Sequence, residues 1–203
     1  MKNMEKLFNI INSNNGTLTS AQVTQAKIPR HYLSLMTQKG ILIKVRRGFY
    51  MTPDNWEDEM YILSCSYPKG VFSHGTALYI HGMTDRTPME YEMSFPQGYH
   101  FRKEENNLKV RYLTKEVYEC GIQQKKSPCE NYVKVYNIEH TLCDIFKANY
   151  DIQIINDSFK RYVKSNEFDI NKLMKYAQMI KVKNKISDYL RVLLWKKLKT
   201  LWV

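Results

Sequence analysis

Arg30, His31, Ser34 and Gln38 fall largely on one side of a helical pattern that runs from Arg30 to Lys39. Their chemistry is recognition rather than bond-making. An arginine donates in pairs to a guanine edge, and a glutamine both donates to and accepts from adenine. Around them stand Lys27, Lys39, Lys44, Arg46 and Arg47, charges suited to gripping phosphates and fixing register on a duplex. Thr19, Ser20 and Gln22, at the opening of the preceding helix, complete the expected set of DNA contacts. Residues 1–52 hold eight Lys or Arg against one acid, Glu5, a net of +7. An αα-hairpin without a ligand has no reason to be so one-sided.

A second chemistry competes. His74 and His81 are seven apart, with Asp85 close behind, and could seat a metal-dependent nuclease or a transferase. No third ligand stands at a suitable spacing. The chain also lacks a phosphate-cradling glycine loop, a paired-carboxylate motif and a nucleophile elbow. The plainer reading puts the two histidines at a cap and a helix end, where they satisfy backbone groups. Cys65, Cys120, Cys129 and Cys143 form no C-x-x-C pair and have no histidine at zinc spacing, so they read as scattered core thiols. The expectation is a protein that is not an enzyme, with no metal and no cofactor.

The elements that must position the basic residues are legible over residues 16–52. Thr19 is placed to cap a first helix reaching about Lys27, and Ile28-Pro29 breaks it. The second helix ends at Gly40, a residue suited to the left-handed C-terminal turn. Ile41-Leu42-Ile43 and Phe49-Tyr50-Met51 are β-prone runs joined through the basic segment Lys44–Gly48, which makes a hairpin. With an amphipathic helix over 4–13, the pattern is a winged helix-turn-helix, which lays its second helix in the major groove and its wing along the backbone or minor groove.

Farther on, Asp54 is a candidate cap for a helix with Glu57, Asp58 and Glu59 in its first turn and Trp56, Met60, Ile62 and Leu63 as its packing surface. A short strand at 71, a helix from about Ser73 to a stop at Gly82, and strands at 91–95, 109–113 and 132–136 follow, with Lys125 and Lys126 in a connection. The end is helical: one helix carries Ile152, Ile155, Phe159 and Tyr162, a second is capped by Asp169, and a third carries Ile186 and Leu190. Opposite that last stripe lie Lys181, Lys185, Lys196 and Lys199, candidate secondary contacts to flanking DNA. The expected architecture is α+β: a winged helix-turn-helix over 1–54, then a mixed α/β domain over 55–203 with a helical end.

Charge is unevenly spread, two basic ends flanking a near-neutral middle. Residues 53–150 hold 11 basic and 14 acidic side chains, a net of −3, whereas residues 151–203 hold 12 and 5, a net of +7. Asn9 interrupts Leu7, Phe8, Ile10 and Ile11, which fit a helix face rather than a leader, and no run approaches a membrane span. A cytoplasmic protein is expected.

Three stretches resemble one family. They are Leu33 with Gly40–Tyr50; Ser73-His74-Gly75-Thr76-Ala77-Leu78-Tyr79-Ile80-His81-Gly82-Met83; and Glu139-His140-Thr141-Leu142-Cys143-Asp144. Together they are similar to the antitoxins of the abortive-infection E systems, the AbiEi type of type IV toxin–antitoxin pairs. His140 stands where the family has arginine. The resemblance implies an operator-binding autorepressor of an antitoxin–toxin operon in phage defence. Its C-terminal part would counter a nucleotidyltransferase-like toxin without a stable complex. Apart from the resemblance, the C-terminal lysines leave two roles open, contact with flanking DNA or cooperative loading of a second copy on DNA. A winged helix used only for protein contact is the remaining alternative.

Overall fold

The computed structural model describes residues 2–100 and 107–200, with side chains over 3–100 and 107–193. It divides into two compact units, one made of residues 1–66 and 126–133, the other of 67–125 and 134–203.

The first unit opens with α1 (Lys2–Ser13), which turns Leu7 and Ile11 inward and leaves Phe8 exposed. β1 (Thr17–Thr19), α2 (Ser20–Gln25), α3 (His31–Gln38), β2 (Ile43–Arg46) and β3 (Phe49–Met51) follow. The hairpin of β2 and β3 is present, but the ribbon has three strands, in the order β1-β3-β2, all antiparallel. β1 is a strand because β3 pairs with it, a long-range cause that three residues of local sequence do not display. Leu18, Val23, Ile28, Leu33, Met36 and Leu42 close on Leu7 and Ile11 as the core. Each such burial is worth about 1.5–3 kcal/mol.

α2 stops at Gln25, short of the expected Lys27, because Lys27 itself makes the turn. Its φ is +57°, its amide donates to Thr24 O at 3.0 Å, and the Ile28 amide donates to Val23 O at 3.0 Å. That is a Schellman closure, and the buried Val23 and Ile28 belong to the same core. α3 ends the same way through Gly40, φ +69°, with Ile41 N to Met36 O at 2.9 Å.

After the wing comes α4 (Glu59–Ser66). Its cap is Asp58, not Asp54: Asp58 Oδ1 accepts from the Tyr61 amide at 3.0 Å. Trp56, expected to pack, is 88% exposed. Asp58 Oδ2 accepts from Ser127 Oγ at 2.6 Å and Asn131 Nδ2 at 3.0 Å, so this buried carboxylate is saturated with donors. Tyr61 donates to Asn14 Oδ1 at 3.0 Å and accepts from Gln22 Nε2 at 2.8 Å. These partners place α4 in the first unit, so the boundary expected at Asp54 moves to Ser66.

The second unit contains β4 (Val71–Phe72), α5 (His74–Ile80), β5 (Tyr91–Pro96), β6 (Leu108–Leu113), α6 (Lys115–Glu119), β7 (Ile122–Lys126), β8 (Tyr132–Tyr136), α7 (Ile138–Lys147), α8 (Ile152–Lys164), α9 (Ile170–Met179) and α10 (Lys183–Thr200). The tip of the β7–β8 hairpin is the piece assigned to the first unit. The sheet order is β6-β5-β4-β8-β7, with β4–β5 antiparallel and β5–β6 and β4–β8 parallel. Lys125 and Lys126 lie in β7, not in a connection: the strand is polar and largely exposed, so it carries no alternation to read. Asn137, Asp151 and Asp169 each accept from a first-turn amide of the helix they precede. Ile155, Phe159 and Tyr162 are buried as expected, whereas Ile152 is 63% exposed at the first turn of α8. The architecture is mixed α/β ending in helices, and no helix among the described residues is long and apolar enough to cross a membrane.

Candidate nucleic-acid interface

Burial of Leu33 and Met36 fixes the orientation of α3, because the opposite side of so short a helix must then face solvent. Arg30, His31, Ser34 and Gln38 are all exposed there. Arg30 is steadied by Thr24 Oγ1, which accepts from its Nε at 3.1 Å and from a terminal nitrogen at 3.0 Å. The His31 and Tyr32 rings lie 4.4 Å apart. Lys27, Lys39, Lys44 and Arg47 are exposed, and none makes an ion pair among the described residues. Gly48, φ +82°, closes the wing tip, and its carbonyl accepts from the Ser20 amide at 2.8 Å. Ser20 thus sits beside the wing, half-buried.

Two expected contacts are already engaged in the fold. Thr19 is 5% exposed, and its hydroxyl accepts from the Gln22 amide at 3.1 Å while Gln22 Oε1 accepts from the Thr19 amide at 2.8 Å. This capping box, with Gln22 Nε2 donating to Tyr61, gives the polar atoms of both side chains partners within the fold. Arg46 is half-buried and pairs with Glu57 at 3.0 Å. Glu57 stands among Asp54, Asp58 and Glu59 in the sequence, so nothing local singles it out as the partner of a wing arginine. Lys181 and Lys185 are exposed, Lys181 at the left-handed turn after α9 with φ +67°. The side chains of Lys196 and Lys199 lie outside the described residues.

The competing histidine site disperses. His81 ends α5, with Tyr136 O at 2.7 Å from Nε2 and Lys125 Nζ at 3.0 Å from Nδ1. Nδ1 therefore accepts from the ammonium and Nε2–H donates to the carbonyl, a neutral ring. Burial drives its pKa down to about 4. His74 Nδ1 lies 3.0 Å from Ser73 Oγ and 3.9 Å from Asp144, and burial pushes its imidazole down against the pull of Asp144 and Glu92. Asp85 is mostly exposed and tied to Arg161. No group of three His, Cys, Asp or Glu among the described residues is placed to hold a metal ion.

The two later motifs meet in one buried polar network. His140 Nε2 lies 3.5 Å from Asp144, its Nδ1 lies 2.8 Å from Cys120 O, and its ring stacks on Tyr136 at 3.9 Å. A flat imidazole suits that slot. Beside the network is a cleft of about 170 Å³ lined in part by Gly75, Arg86, Glu92 and Tyr150. Burial alone would raise the Glu92 carboxyl. The Tyr150 hydroxyl, His74, the Gly75 amide and Lys109 together hold it below the usual carboxylate range. A carboxylate so fully engaged is a structural anion rather than a base awaiting a proton.

Residues 5–53, which span α1 through the wing, match the family model described as a transcriptional regulator, AbiEi antitoxin. The match supports an AbiEi-type antitoxin. No curated protein matches the chain. Among solved structures, the crystal structure of the RV2827C protein from Mycobacterium tuberculosis is similar, with a TM-score of 0.50 at 12% identity over 80% of this chain. The chain spans 66% of that structure's length, and the likeness concerns the fold alone.

Proposed function

From a first unit of the AbiEi transcriptional-regulator type, we propose that the chain is an antitoxin that represses its own operon by binding operator DNA through the winged helix. The observation that supports this most is the exposed stripe Arg30, His31, Ser34 and Gln38 on α3, bordered by Lys27, Lys39, Lys44 and Arg47 with no acids on the stripe. Gln38 and Arg30 would meet base edges, and the lysines and Arg47 would grip phosphates. In this reading the second unit counters a nucleotidyltransferase-like toxin of an abortive-infection pair. No catalysis is assigned to it, because its histidines are absorbed in backbone contacts and a buried network. Lys181, Lys185, Lys196 and Lys199 would touch flanking DNA or support loading of a second copy. The test is a mobility shift on the duplex upstream of the chain's own coding sequence, with an unrelated duplex as competitor. Retardation that outlasts the competitor is expected; equal competition would leave only non-specific binding.

A further inference from the structure

The guanidinium of Arg30, at the start of α3, is gripped by one hydroxyl of α2. Thr24 Oγ1 accepts from Arg30 Nε at 3.1 Å and from Nη2 at 3.0 Å. The same hydroxyl gives its own proton to Ser20 O, one turn back, at 2.9 Å. A hydroxyl has one proton and two lone pairs, so this one is fully committed, with its lone pairs turned to the guanidinium. Both Thr24 and Arg30 are exposed, so packing of the core does not account for the grip.

The path of the chain brings the two together. Lys27, midway between them, turns the backbone at φ +57°, and Arg30 then opens α3, its carbonyl accepting from the Leu33 amide at 3.0 Å. Ser20 carries the tie on to the wing. Its amide donates to Gly48 O at 2.8 Å, and a Cβ at Gly48 would lie 3.0 Å from Ser20 Oγ. Wing tip, α2 and the Arg30 guanidinium are thus joined by one run of hydrogen bonds. The grip also decides which edge of the guanidinium is presented. Nε and Nη2 hold Thr24 along the side edge, which leaves the end edge, Nη1 with the second hydrogen of Nη2, as the parallel pair of donors.

We infer that Thr24 is a positioning residue for operator recognition: it holds the Arg30 guanidinium by its side edge so that the end edge addresses O6 and N7 of a guanine in the major groove. The inference rests on the operator-binding reading and deepens it by naming the base that Arg30 reads. A loose arginine gives up many rotamers on binding, and one already held gives up fewer. The grip alters neither the number of cations nor their charge. Its removal therefore leaves the phosphate contacts, and with them the salt slope, as they were.

The experiment uses the full chain and the upstream duplex, titrated at several salt concentrations. Guanines are replaced one at a time by 7-deazaguanine, which keeps its base pair and lacks N7. At one guanine the replacement should cost the parent about tenfold, and Arg30→Ala should be indifferent to it. Thr24→Val, which removes the hydroxyl and keeps the shape, should bind the native duplex about threefold to tenfold more weakly. It should also lose most of the preference at that guanine while keeping the parent's salt slope, and Thr24→Ser should restore both affinity and preference. Arg30→Lys keeps the charge but has no second edge, and should show the same lost preference at the same slope. In an Arg30→Ala background Thr24→Val should have no further effect, an outcome that a merely structural role in α2 would not produce. Parent-like preference in Thr24→Val or Arg30→Lys, a loss that simply adds to that of Arg30→Ala, or a shallower slope in Thr24→Val overturns the inference and leaves the repressor reading standing. A parent chain that ignores the duplex at low salt sinks both.

Discussion

At the scale of single residues, Arg46 and Glu57 carry the sharpest consequence. A phosphate approaching the wing must displace the Glu57 carboxylate, which already occupies Arg46 at 3.0 Å. An exposed pair of this kind is worth little, on the order of 0.2–1 kcal/mol. Glu57→Gln should therefore tighten DNA binding by about twofold to fivefold at low salt, read by fluorescence titration. Unchanged affinity would mean that Arg46 does not meet phosphate. His81 gives a second residue-scale outcome. Its folded pKa of about 4 lies below the ordinary 6.5, so between those values the unfolded chain binds a proton that the folded chain refuses. Stability is complete above pH 6.5 and falls as the pH drops toward 4, by about 2–3 kcal/mol at pH 4.5. Urea unfolding at pH 7 and 4.5 should show a smaller loss for His81→Gln than for the parent; equal losses would remove His81 as the cause. Residue chemistry of this sort was only partly legible. The reading that His81 satisfies a backbone group holds, with Tyr136 O as the group, because a histidine before a helix-ending glycine has few other uses. Trp56 is expected to pack and lies in solvent instead, because an indole outside a core breaks the strongest rule a sequence offers.

At the scale of elements, what was local was legible. Thr19 and Asp169 cap the helices they precede, and Gly40 and Gly82 end helices in left-handed turns, because each choice is decided within one turn of chain. What depended on pairing was not. β1 and β7 are strands because β3 and β8 lie beside them, and nothing in Thr17-Leu18-Thr19 or Ile122-Gln123-Gln124 requires it. Lys27 shows the difference within one residue. Its charge marks it in the sequence, yet the fold also uses it, at φ +57°, as the turning residue between α2 and α3. Lysine pays conformational energy there that glycine does not. Lys27→Gly should thus raise stability by roughly 0.5–1 kcal/mol while reducing the salt slope of DNA binding by about 0.9, one phosphate contact. Thermal unfolding and titration of the same variant check both signs. A fall in stability would contradict the helix end described for α2.

At the scale of the whole molecule, charge and connectivity tell different parts of the story. The +7 of residues 1–52 was readable by counting, and it falls on the unit whose exposed helix face carries no acids. The extent of that unit was not readable. It takes in α4 through Tyr61 and the segment 126–133 through the donors that Ser127 and Asn131 offer to Asp58, partners about seventy residues away in sequence. The mixed sheet and the helical end follow the expected order, and the fold likeness to the RV2827C structure covers 80% of the chain. The central claim is that the winged helix is an anion-seeking surface shaped for duplex DNA. Its most direct test is the salt dependence of binding to the upstream duplex, for the parent and for Arg46→Ala with Arg47→Ala. With ~6 phosphates neutralised, the parent's log–log slope should be roughly −5, and the double variant should bind every sequence more weakly with a shallower slope. Equal slopes for the two proteins, or no binding by the parent at low salt, would contradict the account.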